Sequence, residues 1–220
     1  MKFGRAKEKE EKKKLQKFRP FSMGLLGVVL ALLISSAVLV YHTKRITILN
    51  PSGWITVEGI GSKDADFITR AVIAKIGLFA NSKDKTLYFS ARPDAEIDYK
   101  KLFSGPRNWF TLSSKKHYRI EGNINIPASW WSITLYDDRD VLVENPDKRY
   151  SFTNYNTVAD AAGNFTIDVA SQKPDGAVNW LPAPTDRPFN LKMRIYEPSK
   201  ELYENLATYP LPKLTEVKGP

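Results

Sequence analysis

The segment Trp131–Tyr136 reads WSITLY, and its large apolar residues stand at every second position. The same spacing recurs in Phe165–Ala170, which reads FTIDVA, and in Leu191–Tyr196, which reads LKMRIY. Successive side chains of a β-strand point to opposite faces of its sheet, so each segment has one apolar and one polar face. The three segments are therefore predicted to be strands whose apolar face packs on a core and whose polar face is in contact with water.

Short extended segments continue this pattern along most of the chain after residue 85. They are separated at close intervals by Gly, Pro, Asn and Asp, which are typical turn residues. Such spacing is typical of an antiparallel β-sandwich or jelly roll, and we expect a mainly β domain of that class. The additional candidate strands are Thr86–Ser90, Trp109–Leu112, Tyr118–Glu121, Val141–Val143 and Tyr150–Phe152.

A period of 3.6 residues before residue 78 predicts one soluble helix. Asp64 or Asp66 can cap its start, and Gly77 is a usual exit from a helix. A single apolar stripe means that the helix packs on another element, most simply the sheet. The residues of this stripe are Phe67, Ile68, Ala71, Val72 and Ile76.

Residues 21–41, FSMGLLGVVLALLISSAVLVY, contain no charged side chain. A helix of this length spans about 30 Å, the hydrocarbon thickness of a bilayer, so we predict a transmembrane helix in contact with lipid. A buried helix of a soluble domain rarely runs this long without a polar face. A cleavable signal peptide ends its shorter apolar core in small residues, whereas residues 35–37, SSA, lie inside the run.

The charges in front of this helix predict its orientation. Residues 1–20 hold nine Lys or Arg and three Glu, which is +6 of the chain's net +9. Because basic flanks stay inside, we expect this tail in the cytoplasm of a bacterium and the rest beyond the inner membrane, in the periplasm. We interpret residues 42–58 as a stalk and 59–217 as the folded domain. That domain is near neutrality, which argues against a nucleic-acid partner.

Small residues recur at every fourth position of the predicted membrane helix, at Gly27, Ala31 and Ser35. Such a stripe lets two helices approach closely, so it favours a homodimer. Small residues are, however, common in membrane helices that do not pair.

Several blocks of the domain identify a family. The chain from about Gly59 to Val217 resembles the family of domains of unknown function numbered 1214 (DUF1214), and the block NWLPAP at 179–184 is the most specific part of the match. The other blocks are TRAVIAKIGL at 69–78, LYFSA at 87–91, WSITLYD at 131–137, RYS at 149–151, PFNL at 188–191 and RIY at 194–196.

The resemblance implies a jelly-roll sandwich with no settled activity. Members of this family often follow a second domain of the family DUF1254, and a membrane helix stands in its place here. The resemblance therefore suggests a separately encoded DUF1254-type protein as a partner. In the turn after Tyr136, Asp137–Asp140 departs from the glycine that family members often carry.

Residue types that common catalytic sites need are missing or isolated. The chain has no cysteine, and His117 is the only histidine beyond the juxtamembrane His42, so no zinc site is expected. No Gly-x-Ser-x-Gly motif is present, and the GIG at 59–61 is interpreted as a turn. We predict no catalytic residue, no metal and no cofactor. The carboxylates that could bind Ca²⁺ fit an exposed turn better; they are Asp137, Asp138, Asp140 and Glu144.

A ligand site is predicted on the polar faces of two strands. If those strands are neighbours, the guanidinium of Arg194 lies between phenols and suits a carboxylate or a phosphate. The predicted ligand-binding residues are Tyr136, Arg149, Asn179, Arg194 and Tyr196. The alternative is a structural ion pair of either arginine with Asp137.

Two classes of function remain. The leading hypothesis is a non-enzymatic envelope module that binds a partner or a ligand through its sheet. The alternative is a hydrolase or lyase that acts on an envelope polysaccharide with paired carboxylates or with the Tyr and Arg groups.

Overall fold

The computed structural model describes residues 3–76, 81–92 and 111–217. It divides into two compact units, Met1–His42 and Thr43–Pro220. The helix exit at Gly77 and the first half of the expected strand Trp109–Leu112 lie outside the described residues, and Leu112 forms only an isolated bridge to Phe189.

The first unit is formed by helix α1, which runs on into the second unit and spans Phe3–Ile46. Its segment Met23–Ile46 has 24 residues and is the one helix in the described part of the chain that is long and apolar enough to cross a membrane. Of its side chains only Thr43 and Ile46, at its end, are buried inside the protein. An anchor and a signal sequence both have these properties.

The second unit contains two β-sheets, as expected for a sandwich. The larger has the order β1-β2-β3-β9-β5-β6 and the smaller has the order β10-β4-β7-β8. All pairs are antiparallel except β7 and β8, which are parallel. The strands are β1 Thr47–Asn50, β2 Trp54–Val57, β3 Thr86–Ala91, β4 His117–Asn123, β5 Ala128–Asp137, β6 Ser151–Thr153, β7 Asn164–Ala170, β8 Asn179–Pro182, β9 Phe189–Pro198 and β10 Lys213–Val217.

The three alternating segments are confirmed as the centres of β5, β7 and β9. Their apolar residues are buried between the sheets, where the rings of Trp131 and Phe165 stack with centroids 5.4 Å apart. Tyr118 and Phe189 make a second contact, edge to face at 6.0 Å. Val141–Val143 is not a strand, because Leu142 forms only an isolated bridge to Tyr136.

The segment expected to be a stalk, residues 42–58, instead contains the end of α1 and strands β1 and β2. All four residues of β2 are buried, so the sequence WITV lacks the alternation that identified the other strands. The Trp54 indole donates a hydrogen bond to the carbonyl of Pro212 at 2.6 Å, and Asn50 Nδ2 donates to the carbonyls of Leu206 and Tyr209. The Leu214 amide donates to the Ser52 carbonyl.

The expected soluble helix is confirmed as α2, Phe67–Ile76, and Asp66 caps it by accepting hydrogen bonds from the Ile68 and Thr69 amides. The predicted stripe is wrong at Phe67, which is 85% exposed, and at Ala71, which is also exposed, while Thr69 is buried. The Thr69 hydroxyl donates to Asp66 at 2.6 Å, which leaves its methyl group free to pack beside Gly59. A satisfied hydroxyl removes the cost of burying threonine. A short helix, α3, spans Lys200–Glu204.

The turn after β5 explains how the chain manages without the expected glycine. Asp137 Oδ1 accepts hydrogen bonds from the backbone amides of Arg139 and Val141. Asp140 has φ 61°, a left-handed conformation that aspartate tolerates better than most residues.

Candidate functional site

The outer side of the six-stranded sheet carries the predicted polar face. Leu191, Met193 and Ile195 of β9 are fully buried between the sheets. The residues that alternate with them must therefore point outward. We define the polar face by the residues Ser90, Trp130, Ser132, Thr134, Tyr136, Lys192, Arg194 and Tyr196.

Arg194 and Tyr136 meet on this face, as the sequence predicts for neighbouring strands. The register pairs Arg194 with Ser132, so Tyr136 stands four residues farther along, about 13 Å away at strand spacing. Yet Arg194 Nη1 lies 3.2 Å from the Tyr136 hydroxyl, and the guanidinium is 5.5 Å from the ring centroid. Both side chains therefore extend along the sheet, above the buried Thr134.

The positive charge of Arg194 has no acidic partner within 4 Å among the residues that the structure describes. The alternative of an ion pair with Asp137 is not realised, because Asp137 binds its own turn and lies 4.0 Å from Arg187. Arg194 is only half-buried. A guanidinium in this setting keeps donors for an anion that arrives from outside.

Lys192 is a second cation of the polar face, and the predicted site lacked it. Its Nζ donates a hydrogen bond to Ser90 Oγ at 2.9 Å, across directly paired positions of β9 and β3. Desolvation by burial lowers the pKa of Lys192; the carboxylate of Asp140 opposes this shift and the charge of Arg194 adds to it. The sequence did contain a sign of this: Lys192 stands two residues before Arg194, and side chains at that spacing lie on the same face of a strand.

Tyr196 lies at the other end of the polar face and packs on Trp130. The two residues are a cross-strand pair, with ring centroids 4.9 Å apart and planes at 53°. Both rings are half-buried. They add an aromatic surface next to Arg194, because the pair Trp130–Tyr196 is the neighbour of the pair Ser132–Arg194 on this face.

The structure does not bring Arg149 to the polar face. Its guanidinium lies over the ring of Phe152, 5.2 Å from the centroid, and Phe152 belongs to the core. Asn145 holds the backbone of Arg149 through its amide and carbonyl groups. The alternative ion pair of Arg149 with Asp137 is likewise absent from the described contacts.

Asn179 is also elsewhere, in strand β8 of the smaller sheet. It is buried, and its side chain accepts a hydrogen bond from the Val158 amide at 2.8 Å. Its Nδ2 donates to the carbonyls of Val158 and Thr166 at 2.8 and 2.9 Å. The side chain thus fastens the segment around Val158 to β7 and β8, which is a structural role.

Replacing Asn179 with Ala is expected to lower the free energy of unfolding by about 2–4 kcal/mol, because buried backbone groups lose their partners. Urea unfolding of the full chain in detergent measures the change. Val178→Ala is the control, since Val178 is 70% exposed and should change stability by less than about 0.5 kcal/mol. Equal effects of the two substitutions would contradict the structural role.

Comparisons with known proteins agree with this fold. Residues 107–200 match the family model described as protein of unknown function (DUF1214), which confirms the resemblance over that range. No curated protein matches the chain.

Two crystal structures are similar. The VPA0106 protein from Vibrio parahaemolyticus is 23% identical with a TM-score of 0.52, over 71% of this chain and 37% of its own length. An uncharacterised protein from Burkholderia cenocepacia is 13% identical with a TM-score of 0.38, over 60% of this chain and 29% of its own. This chain thus spans little more than a third of the Vibrio protein, and that likeness concerns the fold.

Proposed function

We propose that this chain, in which residues 107–200 form a DUF1214 domain behind an N-terminal apolar helix, is a single-pass inner-membrane protein with a periplasmic binding module. The exposed apolar surface of Met23–Ile46 supports the membrane part of the proposal, since such a surface is unfavourable in water. The nine basic residues among the first twenty support a cytoplasmic N-terminus.

The absence of cysteine from the chain allows a direct test of topology. We expect a cysteine introduced as Ser129→Cys, at an exposed position of the domain, to react with a membrane-impermeable maleimide in intact spheroplasts. Lys7→Cys, in the basic tail, should react only after lysis. The reverse pattern would contradict the orientation. Peptide mass mapping that finds no residue before 37 in the membrane fraction would instead indicate a cleaved signal peptide.

The ligand class that the polar face supports best is a small anion-bearing molecule of the envelope, with a carboxylate or phosphate group. The observation that carries this proposal is the Arg194 guanidinium, which has no acidic partner among the described residues and is oriented by the Tyr136 hydroxyl. Arginine binds carboxylate and phosphate with paired donors, and its planar group is positioned before the ligand arrives. Lys192 adds attraction whenever it is protonated, and Tyr196 with Trp130 offers an apolar contact beside the charge.

We expect inorganic phosphate and galacturonate to change the tryptophan fluorescence of the full chain in detergent, and Arg194→Met to weaken the better ligand 10- to 100-fold. The reason is that a hydrogen bond to a charged group contributes about 1.5–3 kcal/mol. Titration at fixed ionic strength measures the affinity.

Arg187→Met is the matched control, because Arg187 is exposed and already paired with Asp186 at 2.7 Å. This variant should bind like the wild type. Equal affinity in the Arg194 and Arg187 variants, with both folded, would rule out Arg194 as the anion site. A preference for phosphate over galacturonate, or the reverse, separates the two sources of negative charge.

We further propose a separately encoded DUF1254-type protein as the partner of the domain. This chain spans 37% of the Vibrio protein, whose remaining length leaves room for another domain. In that arrangement two proteins would together form the two-domain unit that the family resemblance implies. A second copy of this chain, paired through the exposed stripe of Gly27, Ala31 and Ser35, is the competing partner.

Chemical crosslinking in intact cells followed by mass spectrometry should recover a DUF1254-type protein linked to the domain. Replacing Gly27, Ala31 and Ser35 together with Leu is the control. It should leave that crosslink unchanged and abolish any homodimer formed through the helix. Recovery of only abundant envelope proteins, in the same ratio as for an unrelated anchored domain, would contradict the proposed partner.

A further inference from the structure

A groove of about 570 Å³ lies on the outer side of the smaller sheet. Its volume is within the range of small-molecule sites, roughly 300–1,000 Å³. Ile120 and Ile167 are buried between the sheets, so Arg119 and Asp168, which alternate with them, point outward and form the floor of the groove. We define the small-sheet groove by six of its lining residues, Arg119, Val158, Asp160, Asp168, Asp175 and Val178.

Asp168 is a buried carboxylate with one oxygen left for the groove. Its side chain is only 8% exposed, and Oδ1 accepts hydrogen bonds from His117 Nε2 at 2.8 Å and from Arg119 Nε at 3.1 Å. Oδ2 accepts no hydrogen bond from the residues that the structure describes. A buried charged oxygen without a donor is unfavourable. The floor therefore favours a ligand that brings a positively charged donor to Asp168 Oδ2.

Arg119 places donors for an anion beside this oxygen. Its Nε is occupied by Asp168, while neither of its Nη groups donates a hydrogen bond within the described part of the chain. The side chain is 39% exposed, so these groups are within reach of a ligand. Guanidinium donors come in pairs that match a carboxylate. The floor of the groove thus offers an acceptor for a cation next to donors for a carboxylate.

The walls of the groove are apolar and are held in place by Asn179. Val158 and Val178 are 59% and 70% exposed and stand on two different segments of the chain. The Asn179 side chain, next to Val178 in sequence, binds both the amide and the carbonyl of Val158 at 2.8 Å. Walls that are fixed before a ligand arrives reduce the entropy lost on binding.

The carboxylates of the groove outnumber its cations. Asp160 and Asp175 line it together with Asp168, whereas Arg119 is the one Lys or Arg among the described lining residues. The Asn164 backbone amide donates to Asp160 and lowers the pKa of that carboxyl, which keeps it ionised. Asp175 is exposed. The groove as a whole therefore attracts a ligand with positive charge.

We propose that the small-sheet groove binds a basic α-amino acid. The α-carboxylate binds the Nη groups of Arg119, and the α-ammonium donates to Asp168 Oδ2. The methylene groups of the side chain pack on Val158 and Val178, and its terminal cation is attracted by the remaining carboxylates, Asp160 and Asp175. This proposal does not depend on the anion site of the polar face, because the two sites share no residue and lie on different sheets.

L-lysine and two analogues test the roles of the floor residues. We expect isothermal titration calorimetry of the full chain in detergent to show binding of L-lysine. Cadaverine lacks the carboxylate and Nα-acetyl-L-lysine lacks the ammonium, so each should bind at least about tenfold more weakly, because a hydrogen bond between charged groups is lost. L-glutamate should also bind more weakly than L-lysine, because its side chain meets carboxylates.

Two substitutions assign these groups to their partners. Arg119→Gln should weaken L-lysine about 10- to 100-fold and remove its advantage over cadaverine, since neither then has a guanidinium to bind. Asp168→Asn should remove the advantage of L-lysine over Nα-acetyl-L-lysine. If Asp168→Asn does not fold, the comparison in Arg119→Gln decides, because Arg119 is partly exposed. Arg187→Gln is the matched control and should bind like the wild type, since Arg187 is exposed and paired with Asp186.

The outcomes that overturn the proposal are distinct from those that concern the polar face. Absence of L-lysine binding to the folded wild type overturns it. Weakening in Arg119→Gln that is equal for L-lysine and cadaverine also overturns it, because a structural effect of the substitution acts on both. Arg194→Met should bind L-lysine like the wild type, and Arg119→Gln should bind phosphate or galacturonate like the wild type. Circular dichroism of each variant confirms that it is folded.

Discussion

The pairing of β9 with β5 is the constraint on which the rest of the domain depends. Its register runs from Ala128 opposite Pro198 to Asp137 opposite Phe189. Leu191, Met193 and Ile195 fill the space between the sheets. The side chains that alternate with them along β9 therefore point to the outer face of the larger sheet. A slip by one residue would bury Lys192 and Arg194 and expose the apolar set. Core packing thereby also fixes which cations stand next to Ser90 and Tyr136.

Aromatic contacts join the second sheet to the first, and a few satisfied polar groups hold the second sheet itself together. The stack of Trp131 on Phe165 joins β5 to β7, and Asn179 holds the segment around Val158 against β7. Asp168, which is buried, accepts hydrogen bonds from His117 and Arg119 across β7 and β4. These groups make the smaller sheet a support, while the larger sheet carries Arg194, which has no acidic partner within 4 Å among the described residues.

Strand alternation predicted β5, β7 and β9, the class of fold and the meeting of Arg194 with Tyr136. It could not predict β2, because a strand that is buried on both faces does not alternate between apolar and polar residues. Asn179 was misplaced for a related reason: an amide that satisfies backbone groups has the same sequence signature as one that binds a ligand. Lys192 was missed although it lies on the same face of β9 as Arg194. Its contact with Ser90 depends on β3 being the other neighbour of β9, and the sequence does not show which strands are neighbours. Long-range neighbours of this kind are set by topology, which local pattern does not contain.

The hydrogen bonds that join β1 and β2 to the residues around Pro212 have a consequence for biogenesis. Asn50, Ser52 and Trp54 lie just after α1, yet their partners are about 160 residues later in the chain. The first strands to be synthesised therefore cannot complete their contacts, and Trp54 stays exposed, until the last residues of the domain have been synthesised. During that interval an apolar strand edge beside the α1 segment is open to wrong pairing. Folding of this domain is thus a late event, completed only when the residues around Pro212 pair with Asn50, Ser52 and Trp54.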